Sequence, residues 1–110
     1  MKWEIETRDG QGLLKVSGRL DATTTTEFSQ AAAQALAGTP ARLLVDLSGL
    51  EFISSAGLRG VLLLAKSCQK DGRPLGFCGL RPLVEDVFKI SGFMSILKIF
   101  PDQAAAADGW

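Results

Sequence analysis

The chain contains no histidine, so it can build neither a Ser-His-Asp triad nor a histidine metal site. Cysteine is nearly as scarce. Cys68 and Cys78 are the only two; they stand in apolar surroundings at a spacing that matches no zinc ribbon and no C-x-x-C redox motif, and they read as buried reduced thiols. Excess charge is missing too: 12 Lys+Arg against 12 Asp+Glu give a formal net charge of zero. Nothing is left over to neutralise nucleic-acid phosphates or to hold a membrane surface. Long apolar runs are absent, the longest being Gly60 to Ala65, and the first nine residues carry charges at alternate positions. No exporting or membrane-inserting segment is read, and the expected compartment is the cytoplasm. The chain also lacks a GxxxxGK[ST] loop and a recognisable pair of catalytic carboxylates, so no enzyme and no cofactor are expected.

What is present fits one compact domain over residues 1–110, with 46% hydrophobic and 22% charged residues. Trp3, Ile5 and Thr7 alternate with Lys2, Glu4, Glu6 and Arg8, the period of a half-buried strand. Asp9-Gly10 marks a turn into a second strand, with Leu14 and Val16 on one face and Leu13, Lys15 and Ser17 on the other, ending at Gly18. A helix follows, carried by Phe28, Ala31, Ala32, Ala35 and Leu36 and stopped by Gly38 and Pro40; Thr24 and Glu27 fit a capping box at its start. Leu43 to Leu47 is an apolar run expected for a central strand, and Ser48 to Ile53 reads as the connection to a second helix. That helix starts near Ser55, with Leu58, Val61, Leu62, Ala65 and Cys68 as its buried stripe and Gly72 at its close. Leu75 to Cys78 forms another strand. Pro82 then opens a third helix with Leu83, Val84, Val87, Phe88 and Ile90 as a broad apolar face, Glu85 and Asp86 early, Lys89 late and Gly92 as cap. A last strand, Ile96 to Phe100, precedes a tail, 102–110, that forms a short helix or is disordered. The order implies an α/β domain: a mixed sheet of four to five strands packed with three to four helices.

Ser54-Ser55 falls where a strand and its loop meet a helix, the place where open α/β sheets present ligand sites. A serine there also has a plain role, capping free backbone N–H groups for about 1 kcal/mol. The segment from Leu44 to Leu58, Leu-Val-Asp-Leu-Ser-Gly-Leu-Glu-Phe-Ile-Ser-Ser-Ala-Gly-Leu, resembles the signature of STAS domains, in which an apolar strand runs through a loop to a D/S-S-x-G-L motif. Gly18-Arg19-Leu20-Asp21 resembles the family's Gly-x-Leu-Asp turn, and Val87 to Phe93 its third-helix ending, so the likeness spans essentially the whole chain.

That resemblance implies a bacterial anti-sigma factor antagonist in a partner switch. The unphosphorylated form would bind a GHKL-type anti-sigma factor/serine kinase and release its client sigma factor. Phosphorylation would break the complex, and a PP2C-type phosphatase would restore it. The family's acceptor serine aligns with Ser55. Ser54 stands where many members carry Asp, which leaves it as an alternative acceptor, and Ala56 replaces a second hydroxyl. Asp21, Ser54 and Gly57 are expected to support the site, and Thr23, Thr24, Leu58, Arg59 and Leu63 to meet the partner. The free chain is expected to be a monomer or weak dimer. The same family also implies an alternative, a cytoplasmic accessory subunit of an ABC-type lipid or solute transporter.

Three further positions carry expectations. Asp46 lies inside an apolar strand and needs hydrogen bonds, expected from the neighbouring loop. Leu63 projects among Arg59, Lys66 and Lys70 on the second helix, like a small docking spot. Trp3, Phe93 and Met94 read as packing residues, while Trp110 is left open.

Overall fold

A computed structural model of the chain describes residues 1–38 and 40–110, with positions 108 and 109 described by their backbone alone. Strand β1 (Lys2–Arg8) turns through Asp9 and Gly10, both left-handed at φ 52° and 80°, into β2 (Gln11–Leu20). Two consecutive positive φ values give the turn twist that suits an antiparallel hairpin, and Lys2 pairs with Ser17 down to Arg8 with Gln11. Then follow α1 (Thr25–Ala37), β3 (Arg42–Ile53), α2 (Ser55–Lys70), β4 (Leu75–Cys78), α3 (Pro82–Ile90), the single turn α4 (Phe93–Ile96), β5 (Lys98–Phe100) and α5 (Gln103–Gly109). The sheet keeps chain order, β1-β2-β3-β4-β5; β1 is antiparallel and the other neighbours are parallel. Each parallel step needs a crossover, which α1, α2 and the α3–α4 pair supply.

Those helices share one face of the sheet, where Leu14, Val45, Leu47 and Phe77 of the strands meet Phe28 of α1, Val61 of α2 and Phe88 of α3. Phe88 stands edge-on to both Phe77 and Phe93, at 6.2 and 5.6 Å between ring centres. On the opposite face a smaller cluster, Leu13, Leu44, Cys78 and Phe100, lies under Ala106 of α5. The tail therefore contains a short helix. Trp110 packs on Phe100 at 5.5 Å and lies 4.9 Å beneath the Arg42 guanidinium.

Several local expectations need correction. β2 does not end at Gly18 but continues through it at φ 95° to Leu20, and Ser48 to Ile53 is not a loop but the second half of β3. Both follow from irregular pairing: the β2–β3 register shifts between Lys15 and Ser17 and again between Gly18 and Arg19. The extra residues of β3 space its buried side chains Leu47, Leu50 and Ile53 by three, which hides the strand from a search for strict alternation. Thr24 and Glu27 form no capping box; the Thr24 hydroxyl is held at the preceding turn and Glu27 accepts a hydrogen bond from Trp3 Nε1 at 3.1 Å. The buried stripe of α2 is Gly57, Gly60, Val61, Leu64 and Cys68, with Leu58, Leu62 and Ala65 only half-buried. On α3 only Val84 and Phe88 are buried; Leu83 is exposed and Ile90 is 87% exposed. Ile96 belongs to α4, and β5 begins at Lys98.

Candidate functional site

The end of β3 and the start of α2 are joined through one residue. Ser54, extended at φ −98° and ψ 177°, gives its backbone N–H to the Leu20 carbonyl at 3.0 Å, continuing the sheet. Its carbonyl accepts from Leu58 N at 2.9 Å and its hydroxyl accepts from Gly57 N at 3.2 Å, starting the helix. Ser54 is thus the N-cap of α2. Ser55, the first helical residue, is exposed, so the two adjacent hydroxyls have separate situations: one is committed to the backbone and the other faces solvent.

Glycine at position 57 is what lets the helix start so close to the sheet. A Cβ there would fall inside contact distance of the Leu20 carbonyl oxygen and 2.8 Å from Ile53 Cγ1. Gly60, one turn on, plays the same part toward α1, since a Cβ would lie 2.7 Å from Thr25 Oγ1. The helix start is therefore pressed against the end of β2 and the turn that follows it.

That turn is organised by Asp21. Its Oδ1 accepts from the Thr23 backbone N–H at 2.9 Å and from the Thr23 hydroxyl at 2.7 Å. The Thr24 hydroxyl accepts from Asp21 N at 3.0 Å and donates to the Arg19 carbonyl at 2.9 Å. The Thr23 hydroxyl, followed by its backbone N–H, holds the Asp21 carboxyl below the usual carboxylate range, with Arg19 helping. Arg19 lies 3.7 Å from Asp21 Oδ2 and 4.2 Å above the Phe52 ring. Asp21, Ser54 and Gly57 therefore meet around the Leu20 carbonyl, with the Thr23–Thr24 turn beside them.

The remaining residues are spread along α2. Leu58 is half-buried against the core, Arg59 is exposed, and Leu63, 58% exposed, lines a groove of about 210 Å³ between α1 and α2 with Phe28, Ala32 and Leu36. Sequence reasoning missed Arg19, Phe52 and Gly60. The first two become partners only because register slippage sets Arg19 opposite Phe52.

Asp46 sits away from this rim, on the sheet face near α5. It is 8% exposed; Ser48 N donates to its Oδ1 at 2.8 Å and Gln103 Nε2 donates to its Oδ2. Burial alone would raise its pKa, but the Gln103 and Ser48 hydrogen bonds outweigh this and hold it below the ordinary value. The expected local donor is thus Ser48, joined by the distant Gln103. Burial raises the Cys68 thiol and pushes that of Cys78 up to about 12; both are free and buried. Among the described residues, no group of three or more His, Cys, Asp or Glu side chains is placed to hold a metal ion, and no helix is long and apolar enough to cross a membrane.

A family profile described as "Mlab, STAS domain" matches residues 3–98. The chain belongs to the STAS domain family. Its likeness to BtrV of Bordetella bronchiseptica, named as a candidate anti-sigma factor antagonist, is 36% identity over 97% of this chain and 92% of that protein. An anti-sigma factor antagonist from Mycobacterium paratuberculosis superposes with a TM-score of 0.86 at 25% identity, covering 96% of this STAS domain and 91% of that chain. SpoIIAA from Bacillus in the phosphorylated form shares the fold, with a TM-score of 0.71 at 16% identity over 96% of this chain and 97% of that one.

Proposed function

We propose that this STAS domain is a cytoplasmic anti-sigma factor antagonist, switched by phosphorylation of Ser55. One observation carries the choice of serine: Ser55 is exposed at the first position of α2, while Ser54 is half-buried with its hydroxyl oxygen accepting a hydrogen bond from Gly57 N. The names of BtrV and of the mycobacterial antagonist support the role, and a phosphorylated form of a protein with this fold supports the modification.

The unphosphorylated domain binds a GHKL-type anti-sigma factor kinase through the rim formed by Thr23, Thr24, Leu58 and Arg59, with Leu63 extending the contact along the groove. In that complex the Ser55 oxygen attacks the γ-phosphorus of ATP, its proton is lost, and ADP leaves. The added charge, about −1.5 to −2, sits at the positive end of the helix dipole, so the modified domain keeps its fold. The cost falls on the interface instead. Desolvating a new dianion against a packed partner costs a few kcal/mol, and a loss of about 2.7 kcal/mol weakens binding roughly 100-fold. A PP2C-type phosphatase returns the hydroxyl.

Incubation with the cognate kinase and ATP adds one phosphate that peptide mass spectrometry places on Ser55, and Ser55→Ala stays bound to the kinase. Phosphate on Ser54 alone, or undiminished incorporation in Ser55→Ala, refutes the assignment. Recovery of a transporter ATPase in place of the kinase from the native cell overturns the reading in favour of the accessory-subunit alternative.

A further inference from the structure

We propose that Arg59 is the internal counter-ion for a phosphate on Ser55, folding back one helical turn to pair with it. The inference rests on the phosphoserine reading above and concerns what the phosphate meets once it is there. Ser55 is the first residue of α2 and Arg59 is the fourth after it, and both are exposed. Residues at this spacing lie one above the other on a helix surface. Side chains on a helix lean toward its N-terminus, which sends the Arg59 guanidinium over the Ser55 turn and not away from it. The order is also the favourable one, with the anion nearer the N-terminus and the cation after it.

Arg59 is free to take this part. Among the described residues the ion pairs are Arg8–Glu6, Lys15–Glu6, Arg19–Asp21 and Lys89–Glu85, none of which uses Arg59. Arg19, the other guanidinium near the site, is held over Phe52 and beside Asp21. A guanidinium suits the role better than an ammonium, because its planar fork donates two parallel N–H groups to two phosphate oxygens. Ser54 is out of step for the same pairing, since the residue four after it is the apolar Leu58.

Two consequences follow for the switch. The phosphate is biased toward its dianion and toward Arg59 at the mouth of the helix. The cation that the unmodified domain offers to a partner is partly withdrawn as the phosphate arrives, so one chemical event adds an anion to the rim and partly neutralises a cation on it.

The test uses the full chain with phosphoserine installed at position 55 by codon reassignment, so that no kinase is needed. The phosphate is titrated by ³¹P NMR through its second ionisation, which lies near about pH 6 for a free phosphoserine. Arg59→Gln is expected to raise that pKa by about 0.2–0.4 of a unit, with Arg59→Lys restoring part of the difference. Lys66→Gln, farther along α2, leaves it unchanged. With phosphoserine at 54 instead, the effect of Arg59→Gln is smaller. A titration at position 55 that Arg59→Gln does not move, or that Lys66→Gln moves as much, overturns the pairing; so does an equal shift at position 54. The result is separable from the parent reading: a kinase that ignores Ser55 refutes the assignment of the acceptor and leaves this measurement standing.

Discussion

Replacing Gly57 by alanine tests whether close approach of α2 to the end of β2 holds the site together. The new methyl group would overlap the Leu20 carbonyl oxygen and lie 2.8 Å from Ile53 Cγ1, and a backbone oxygen cannot swing aside as a side chain could. Helix propensity alone would favour the change by up to about 1 kcal/mol. Against it stand overpacking, about 1–3 kcal/mol, and strain on the 3.0 Å bond from Ser54 N to Leu20 O, about 1 kcal/mol if lost. The net expectation is destabilisation by about 2 kcal/mol, a fall of roughly 10 °C in Tm. Urea unfolding followed by circular dichroism and tryptophan fluorescence reads it. Gly38→Ala is the control, because φ is −72° there and the nearest atom to its Cβ is 3.8 Å away; it should be neutral or slightly stabilising. A Gly57→Ala variant as stable as the parent, with the control behaving as stated, would refute the reasoning.

Asp46 gives the chain an acid-sensitive contact. Its folded pKa lies below the model-peptide value of 3.8, so its contribution is fully present above that pH and is lost as pH falls through the folded value; the stability gap between the parent and Asp46→Asn should shrink on acidification below about pH 4, and a constant gap contradicts this. Cys78 lies beneath α5 with its thiol pushed up to about 12, so a thiol reagent at pH near about 8 should label it only on opening of the fold; truncation after Asp102 should speed Cys78 labelling far more than Cys68 labelling, and equal acceleration of both counts against α5 as its cover. Trp3→Phe keeps an aromatic side chain but removes the 3.1 Å bond to Glu27 together with part of the indole's packing on the core, for an expected loss of at least about 1 kcal/mol in urea unfolding; an unchanged midpoint shows that bond to contribute nothing.

The fold was legible where local chemistry and tertiary structure agree. Asp9-Gly10 codes its own turn, Pro82 begins α3, Gly92 adopts φ 78° after it, and Ser55 opens α2. It was hidden where long-range pairing overrides local pattern. Ser48 to Ile53 has no strand periodicity, because the irregular pairing with β2 breaks the alternation. Thr24 and Glu27 have capping-box spacing, yet Asp21 and Trp3 claim them first. The apolar face of α3 is narrower than its composition suggests, since the short helix reaches the sheet through Val84 and Phe88 alone among its buried residues. Of the site, Ser54, Ser55, Asp21 and Gly57 could be named from the sequence, whereas the Arg19–Phe52 contact required the register.

Ser54 is fastened three ways, its amide to one strand, its carbonyl and hydroxyl to the helix. The backbones of Asp21, next in the chain to Leu20, and of Ser55, next to Ser54, are accordingly tied to one another through the bond from Ser54 N to the Leu20 carbonyl. A protein that recognises both at once meets a rigid gauge, and little ordering remains to be done on this side of the contact. Under the proposed partner switch, most of the adjustment on docking would then fall to the other molecule.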